Sequence, residues 1–357
     1  MWCMIALSLV SCASINPTDD ETAPYRLSLW NDVPQLSRES GPPGQGVLVG
    51  TATGSEEKLA DQGAPGDKAE GPLAVYGREL IANVRKTYTG ERGLFYRLGW
   101  VPFREASRRS ADLQLFVQVI TREEEKPRGT VFLFHGYAND SSHMTGVAGA
   151  LLEKNWAVVL VDLPGHGLST GLRGDVATFS DYGDAVQTVL NCVKSLYIDE
   201  LPRPFMAFGH STGALALVDY SIRYTNEFSR MVFYAPLIRS AWWNTARIGR
   251  TVLGPFVKTA KATSKSALGL RVFPVHWFDE LVRWEAWARK HGRILMPPTR
   301  IIQPVHDEVV LSDYNARFLQ QRAPETELLR IDGLSHFTTD ARIPDGRLLK
   351  AIVSYFE

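Results

Sequence analysis

From Leu113 to Phe356, short apolar runs and amphipathic stretches take turns, and this alternation constrains the fold more than any other feature of the chain. The runs "TVFLF", "AVVLVDLPG", "PFMAFGH", "RMVFYAP" and "TRIIQPVHD" are apolar almost throughout, as strands covered on both faces must be. Between them, "SSHMTGVAGALLEKN", "FSDYGDAVQTVLNCVKSLY" and "TGALALVDYSIRYT" repeat apolar residues at helical spacing. A last pair, "TELLRIDG" and "DGRLLKAIVSYF", closes the chain. Strands alternating with helices predict an α/β fold: a mostly parallel sheet covered by helices on both faces. Upstream, "LAVYGRELIANVRKTY" has helical spacing, and "ADLQLFVQVI" and "TVFLF" are two strands joined by the charged turn "TREEEKPRG".

One interval breaks the alternation. Residues 239–295 contain no strand signal, and they are too many for a plain connection. They carry Trp242, Trp243, Trp277, Trp284 and Trp287, with many arginines and lysines against Asp279, Glu280 and Glu285. The expectation is a helical cap inserted into a core formed by residues 73–238 and 296–357.

The first seventy residues read differently. Residues 13–72 are rich in Pro, Gly, Ser, Asp and Glu, which bury too little apolar surface to offset chain entropy. They read as a low-complexity tether, with an end-to-end distance of roughly 40 Å if fully flexible. Residues 1–12, "MWCMIALSLVSC", are too few to cross a bilayer, which takes about 20 apolar residues, and read as an export signal. Leu9-Val10-Ser11-Cys12 resembles the lipobox of bacterial lipoproteins. That resemblance implies acylation of Cys12, loss of Cys3, attachment to a membrane and a place in the cell envelope. Cys192 would then be the single cysteine of the mature chain, without a disulfide partner.

Lysine plus arginine numbers 39, as does aspartate plus glutamate, so no global charge draws the chain to nucleic acid. Gly165, Gly167 and Gly171 lack dinucleotide-site spacing, and no His/Cys/Asp cluster has metal-ligand spacing. No cofactor is expected.

The chemistry concentrates around "GHSTG". Ser211 stands between a strand-like and a helix-like run, flanked by Gly209 and Gly213, as a sharp strand-to-helix turn requires. A helix opening at Thr212 aims its free amides at that turn. Ligands of open α/β sheets bind beyond the carboxyl ends of strands, where Ser211 lies. Its hydroxyl needs a base, and His336, in the loop after the last strand, is the candidate. Asp307, past "TRIIQPVHD", is the carboxylate candidate for the imidazole, with Glu308 a rival and Asp332 too near His336 in sequence. His210 and His166 read as packing and loop-shaping residues. The amides of Tyr137, in "HGYAND", and Thr212 are the candidate oxyanion donors.

Through "FHGYAND", "VDLPGHGLSTGLRGDVATFSDYGDAV", "GHSTG", "HDEVV" and "GLSHF", the sequence resembles the α/β-hydrolase superfamily, in particular its monoacylglycerol lipase and lysophospholipase-like branch. The resemblance implies the α/β-hydrolase fold with a cap at 239–295, and a serine esterase or lipase with Ser211 as nucleophile, Asp307 as acid and His336 as base. Pro304 and Ala214 stand where that family usually has glycine. Competing expectations are a serine peptidase or amidase of the same fold and a catalytically silent envelope-binding protein.

Overall fold

The computed structural model describes residues 47–53, 72–90, 93–103, 113–123, 125–196, 198–253, 259–261, 270, 272–340 and 344–357. The export signal, Cys12 and most of the tether lie outside the described residues. Within the tether, however, Val47–Thr53 forms strand β1, whose sequence "VLVGTAT" has a β-branched residue at every second position.

In chain order there follow α1 (Pro72–Val84), β2 (Leu94–Phe103), β3 (Leu113–Arg122), β4 (Thr130–Phe134), α2 (Thr145–Glu153) and β5 (Ala157–Val161). Then come α3 (Ser180–Leu196), β6 (Phe205–His210), α4 (Thr212–Arg223) and β7 (Arg230–Tyr234). After them lie α5 (Trp243–Leu253), β8 (Thr259–Lys261), β9 (Val272–Pro274) and α6 (Val275–Ala288). The chain ends with β10 (Thr299–Pro304), α7 (Ser312–Arg322), β11 (Thr326–Ile331) and α8 (Gly346–Phe356).

Nine of these strands form one sheet in the order β1-β2-β3-β5-β4-β6-β7-β10-β11. From β5 to β11 all neighbours run parallel, while β1, β2 and β3 join antiparallel at one edge. Strands β3 and β4, although consecutive, do not pair; β5 lies between them. Strand β2 is not among the strands expected from the sequence.

The strands alternate between two core layers. Phe132 and Phe134 of β4 pack with α3 and α4, whereas Val131 and Leu133 pack with α1, α2 and α8. Successive side chains of a strand point to opposite faces, so a run buried on both faces must be apolar throughout. These are the runs "TVFLF" and "AVVLV", every residue of which is buried.

The 239–295 interval is helical in α5 and α6 but also holds the short antiparallel pair β8–β9. Three-residue strands are too brief for a periodicity signal, which explains their absence from the sequence expectation.

Candidate active site

The parallel register brings the carboxyl ends of the central strands level. Phe134 of β4 pairs with Gly209 of β6, and His210 with Tyr234 of β7. The loops that follow β4, β6, β7, β10 and β11 therefore meet at one edge, as expected for a ligand site in an open sheet.

Ser211 sits between β6 and α4 with φ 50° and ψ −107°. That backbone is costly for a residue with a Cβ and persists only where the surroundings enforce it. The enforcement is visible: the Ser211 amide donates to Tyr234 O at 3.0 Å, and the Leu237 amide donates to Ser211 O at 3.2 Å. A Cβ on Gly209 would lie 2.5 Å from the Ala214 nitrogen, and one on Gly213 would lie 2.2 Å from Phe134 O. No side chain fits at either place. Ala138 and Ala235, in the loops after β4 and β7, also have positive φ. Unfavourable backbone is thus concentrated at this edge.

Asp307 and His336 come together from the ends of β10 and β11. Asp307 Oδ2 is 2.9 Å from His336 Nδ1, and the Asp307 side chain is fully buried. Asp307 Oδ1 accepts from the amides of Val309 and Val310 at 2.9 and 3.0 Å, and Gln303 Nε2 donates to Oδ2 at 3.2 Å. Burial pushes the carboxyl up, but His336 and the two amides outweigh it and hold Asp307 below its usual range. With Nδ1 donating to that carboxylate, Nε2 of a neutral imidazole is left as the acceptor.

The His336 backbone is fixed next to the serine turn. His210 Nε2 donates to His336 O at 2.9 Å, and the Tyr234 hydroxyl donates to Ser335 O. His210 is buried and held neutral by burial and by the nearby His336. Ser211 and His336 are each 5 % exposed. Glu308, the rival acid, points into solvent, and Asp332 O accepts from Arg347. Pro304 ends β10 beyond its pairing with β7, where its missing N–H costs nothing on that side.

The loop after β4 completes the edge. A Cβ placed on Gly136 would lie 3.4 Å from the Ser211 Cβ, so this loop abuts the serine directly. Among the described residues, neither the Tyr137 amide nor the Thr212 amide has a hydrogen-bond acceptor. The loop is braced from behind: His135 Nε2 accepts from the Leu163 amide at 2.9 Å, and Asp162 accepts from the amides of Ser141 and Leu168, both at 2.7 Å. Burial and the neighbouring Asp140 push the Asp162 carboxyl up. His166, at 5.4 Å from the His135 ring, is buried and lowered to about 3, as suits a loop-shaping residue. The sequence reading missed Gln303 and Asp162, whose partners are distant in the chain and carry no spacing signal.

The inserted segment reaches the same loop. The Tyr137 ring packs against Trp277 of α6, with centroids 4.1 Å apart and planes tilted by 46°, and its hydroxyl donates to Gly174 O at 2.7 Å. Trp277 Nε1 donates to the Tyr182 hydroxyl at 2.8 Å, and Trp284 Nε1 to Asp219 Oδ1 at 2.7 Å. The five tryptophans therefore divide: Trp243, Trp277 and Trp284 are buried, while Trp242 is 64 % exposed and Trp287 37 %.

Residues 125–271 match the family described as serine aminopeptidase, S33. A monoacylglycerol lipase of Mycolicibacterium smegmatis is 31% identical over 114 residues, covering 32% of this chain and 40% of that protein. The match thus spans less than half of that relative's length. The phospholipase YtpA of Bacillus subtilis is 21% identical over 212 residues, covering 53% of this chain and 80% of that protein. Among solved structures, a monoacylglycerol lipase of Paleococcus ferrophilus superposes with a TM-score of 0.55 at 17% identity, covering 69% of this chain and 98% of its own.

Proposed function

We propose that this chain, which has the α/β-hydrolase fold, is a serine carboxylester hydrolase acting on lipid-like mono- or lysoacyl esters. The observation that carries the reading is the positive-φ Ser211 at the β6–α4 junction, beside the hydrogen-bonded Asp307–His336 pair. In this reading Ser211 Oγ bonds to the acyl carbon while His336 Nε2 takes the hydroxyl proton, and Asp307 stabilises the imidazolium. The tetrahedral oxyanion accepts from the amides of Tyr137 and Thr212. The bond to the leaving alcohol then breaks as His336 returns the proton. Water repeats the sequence on the acyl-enzyme, releasing the acid and restoring Ser211.

The substrate class rests on the relatives, which are named as a monoacylglycerol lipase and a phospholipase, and on the apolar surface at Trp242 and Ile248, the latter 66 % exposed. Residues 239–295 are the cap of the site in this proposal. A second reading, a peptidase or amidase, is favoured by the aminopeptidase description of the matching family. A panel of p-nitrophenyl acyl esters and aminoacyl p-nitroanilides decides between them. Ester turnover abolished by Ser211→Ala supports the proposal, amide preference supports the second reading, and no turnover of either points to a silent binding protein.

The proposal includes export, acylation of Cys12 and a tether that holds the hydrolase near a membrane in the cell envelope. More than one acyl chain, at about 0.8 kcal/mol per buried methylene, gives stable anchoring. Cys12→Ala should move the protein to the soluble fraction, and unchanged fractionation removes this part alone.

A further inference from the structure

Helix α7 places Tyr314, Arg317, Phe318 and Arg322 on one face, at spacings of three and four residues. That face meets Arg239 and Arg289 across a cleft of about 410 Å³. Four guanidinium groups line it. Glu285 is the carboxylate set against them: Arg239 Nη2 donates to it at 2.6 Å, Arg289 Nε lies at 3.4 Å, and the Tyr314 hydroxyl donates to it at 2.6 Å. Arg317 is exposed, with no carboxylate partner among the described residues. Arg322 spends its terminal nitrogens on the carbonyls of Phe318 and Arg289, and its buried Nε has no acceptor among the described residues. The cleft carries a positive surplus in a chain whose net charge is zero.

The arginines are also oriented. The Arg239 guanidinium lies 3.9 Å from the Tyr314 ring centroid, and that of Arg322 lies 4.0 Å from Phe318. Stacking fixes the planes of these two guanidiniums, which are further held by Glu285 and by backbone carbonyls, so the cleft wall is set before binding, and the exposed Arg289 and Arg317 present N–H groups to an oxyanion. Several guanidinium edges around one space match the oxygens of a phosphate group, each charge-assisted bond being about twice as strong as a neutral one.

We propose that the cleft between α6 and α7 binds a phosphate oxyanion, carried either by free phosphate or by a phosphate ester such as a phospholipid headgroup. The site adjoins the catalytic edge without sharing its residues. Asn315 holds the Arg239 backbone through both its amide and its carbonyl, and the next residue, Ser240, pairs with Val310. The inference stands apart from the ester hydrolase reading, because binding is read without turnover.

The test is calorimetric titration of the full-length protein, in low-salt Tris buffer, with inorganic phosphate and with glycerophosphoglycerol, a deacylated anionic headgroup. At least one probe should saturate a single site, and Arg289→Gln with Arg317→Gln should weaken it about tenfold or more. Arg317→Gln alone, a change at an exposed side chain, should weaken it in the same direction if the double variant fails to fold. Arg330→Gln, whose guanidinium pairs with Asp313, should leave binding unchanged. The tighter of the two probes identifies the source of the phosphate. Absence of saturable binding by both, or an equal loss in Arg330→Gln, overturns the proposal and leaves the arginines as caps of helix ends.

Discussion

The edge around Ser211 and the segment inserted between β7 and β10 touch through Tyr137 and Trp277, yet they are held in opposite ways. At the edge, most of the holding bonds have a backbone amide or carbonyl on at least one side. The Ser211 amide, the Leu237 amide and the paired amides of Val309 and Val310 fix the serine turn and the acid loop. In the insert, side chains do the holding: indole to hydroxyl at Trp277, indole to carboxylate at Trp284, guanidinium to carboxylate at Arg239 and Arg250. A backbone lattice leaves no room for an added Cβ and keeps its geometry when a polar side chain is shortened. A side-chain lattice yields contact by contact. Shortening a side chain at the edge should therefore alter chemistry with little loss of stability, adding a Cβ to its glycines should cost both, and changes in the insert should cost mainly stability.

The largest expected effect is at Ser211. Ser211→Ala should lower ester turnover by about 10⁶, as removal of a triad nucleophile does, with an unchanged urea midpoint. Asp307→Asn should cost about 10⁴ by selecting the wrong imidazole tautomer, while Glu308→Gln leaves turnover intact. A reversal of that last pair reassigns the acid. Gly213→Ala tests the backbone lattice itself. The new Cβ meets Phe134 O, so both turnover and stability should fall, the latter by about 1–3 kcal/mol in urea unfolding. Normal behaviour of this variant means that the turn has room for a methyl group.

The insert should respond more mildly. Trp284→Phe removes a donor from the buried Asp219 and should cost about 1–3 kcal/mol of stability, raising KM with kcat preserved. A fall in kcat alone breaks the division between the two regions. The smallest effect is one of pH. Burial pushes Asp219 up to about 7, against the pull of Trp284 and Arg223, so the folded chain binds a proton that the unfolded chain has released. Its contribution to stability is complete below about pH 4, the unfolded value, and is lost as pH rises through about 7. Asp219→Asn should therefore gain on the wild type at pH 8, with the gap narrowing towards pH 5. A gap that widens at low pH contradicts the sign.

The same division explains what was legible in the sequence. Strands β4 to β7 and β10 are buried on both faces, so composition alone marked them, while β11, at the sheet edge and only partly buried, showed through its short apolar run; the candidates Ser211, Asp307 and His336 followed from their places just beyond strand ends. Strand β2 escaped because Arg97, Gly99 and Pro102 interrupt its apolar pattern. The β3–β4 connection read as two strands joined by a charged turn, and nothing local states that β5 enters between them. Strand β1 lay in a stretch whose average composition hides seven residues of β-branched alternation. Asp162, Asp219 and Gln303 matter through partners far along the chain, and such contacts leave no spacing to read.

The central claim is that the hydroxyl at the β6–α4 turn is the nucleophile, and a fluorophosphonate tests it most directly because phosphorus is captured only by an activated oxygen. Intact-mass and peptide mass spectrometry should find one adduct, on the peptide carrying Ser211, that disappears in Ser211→Ala and slows sharply in His336→Ala. An adduct on another residue, or labelling undiminished by either substitution, contradicts the account.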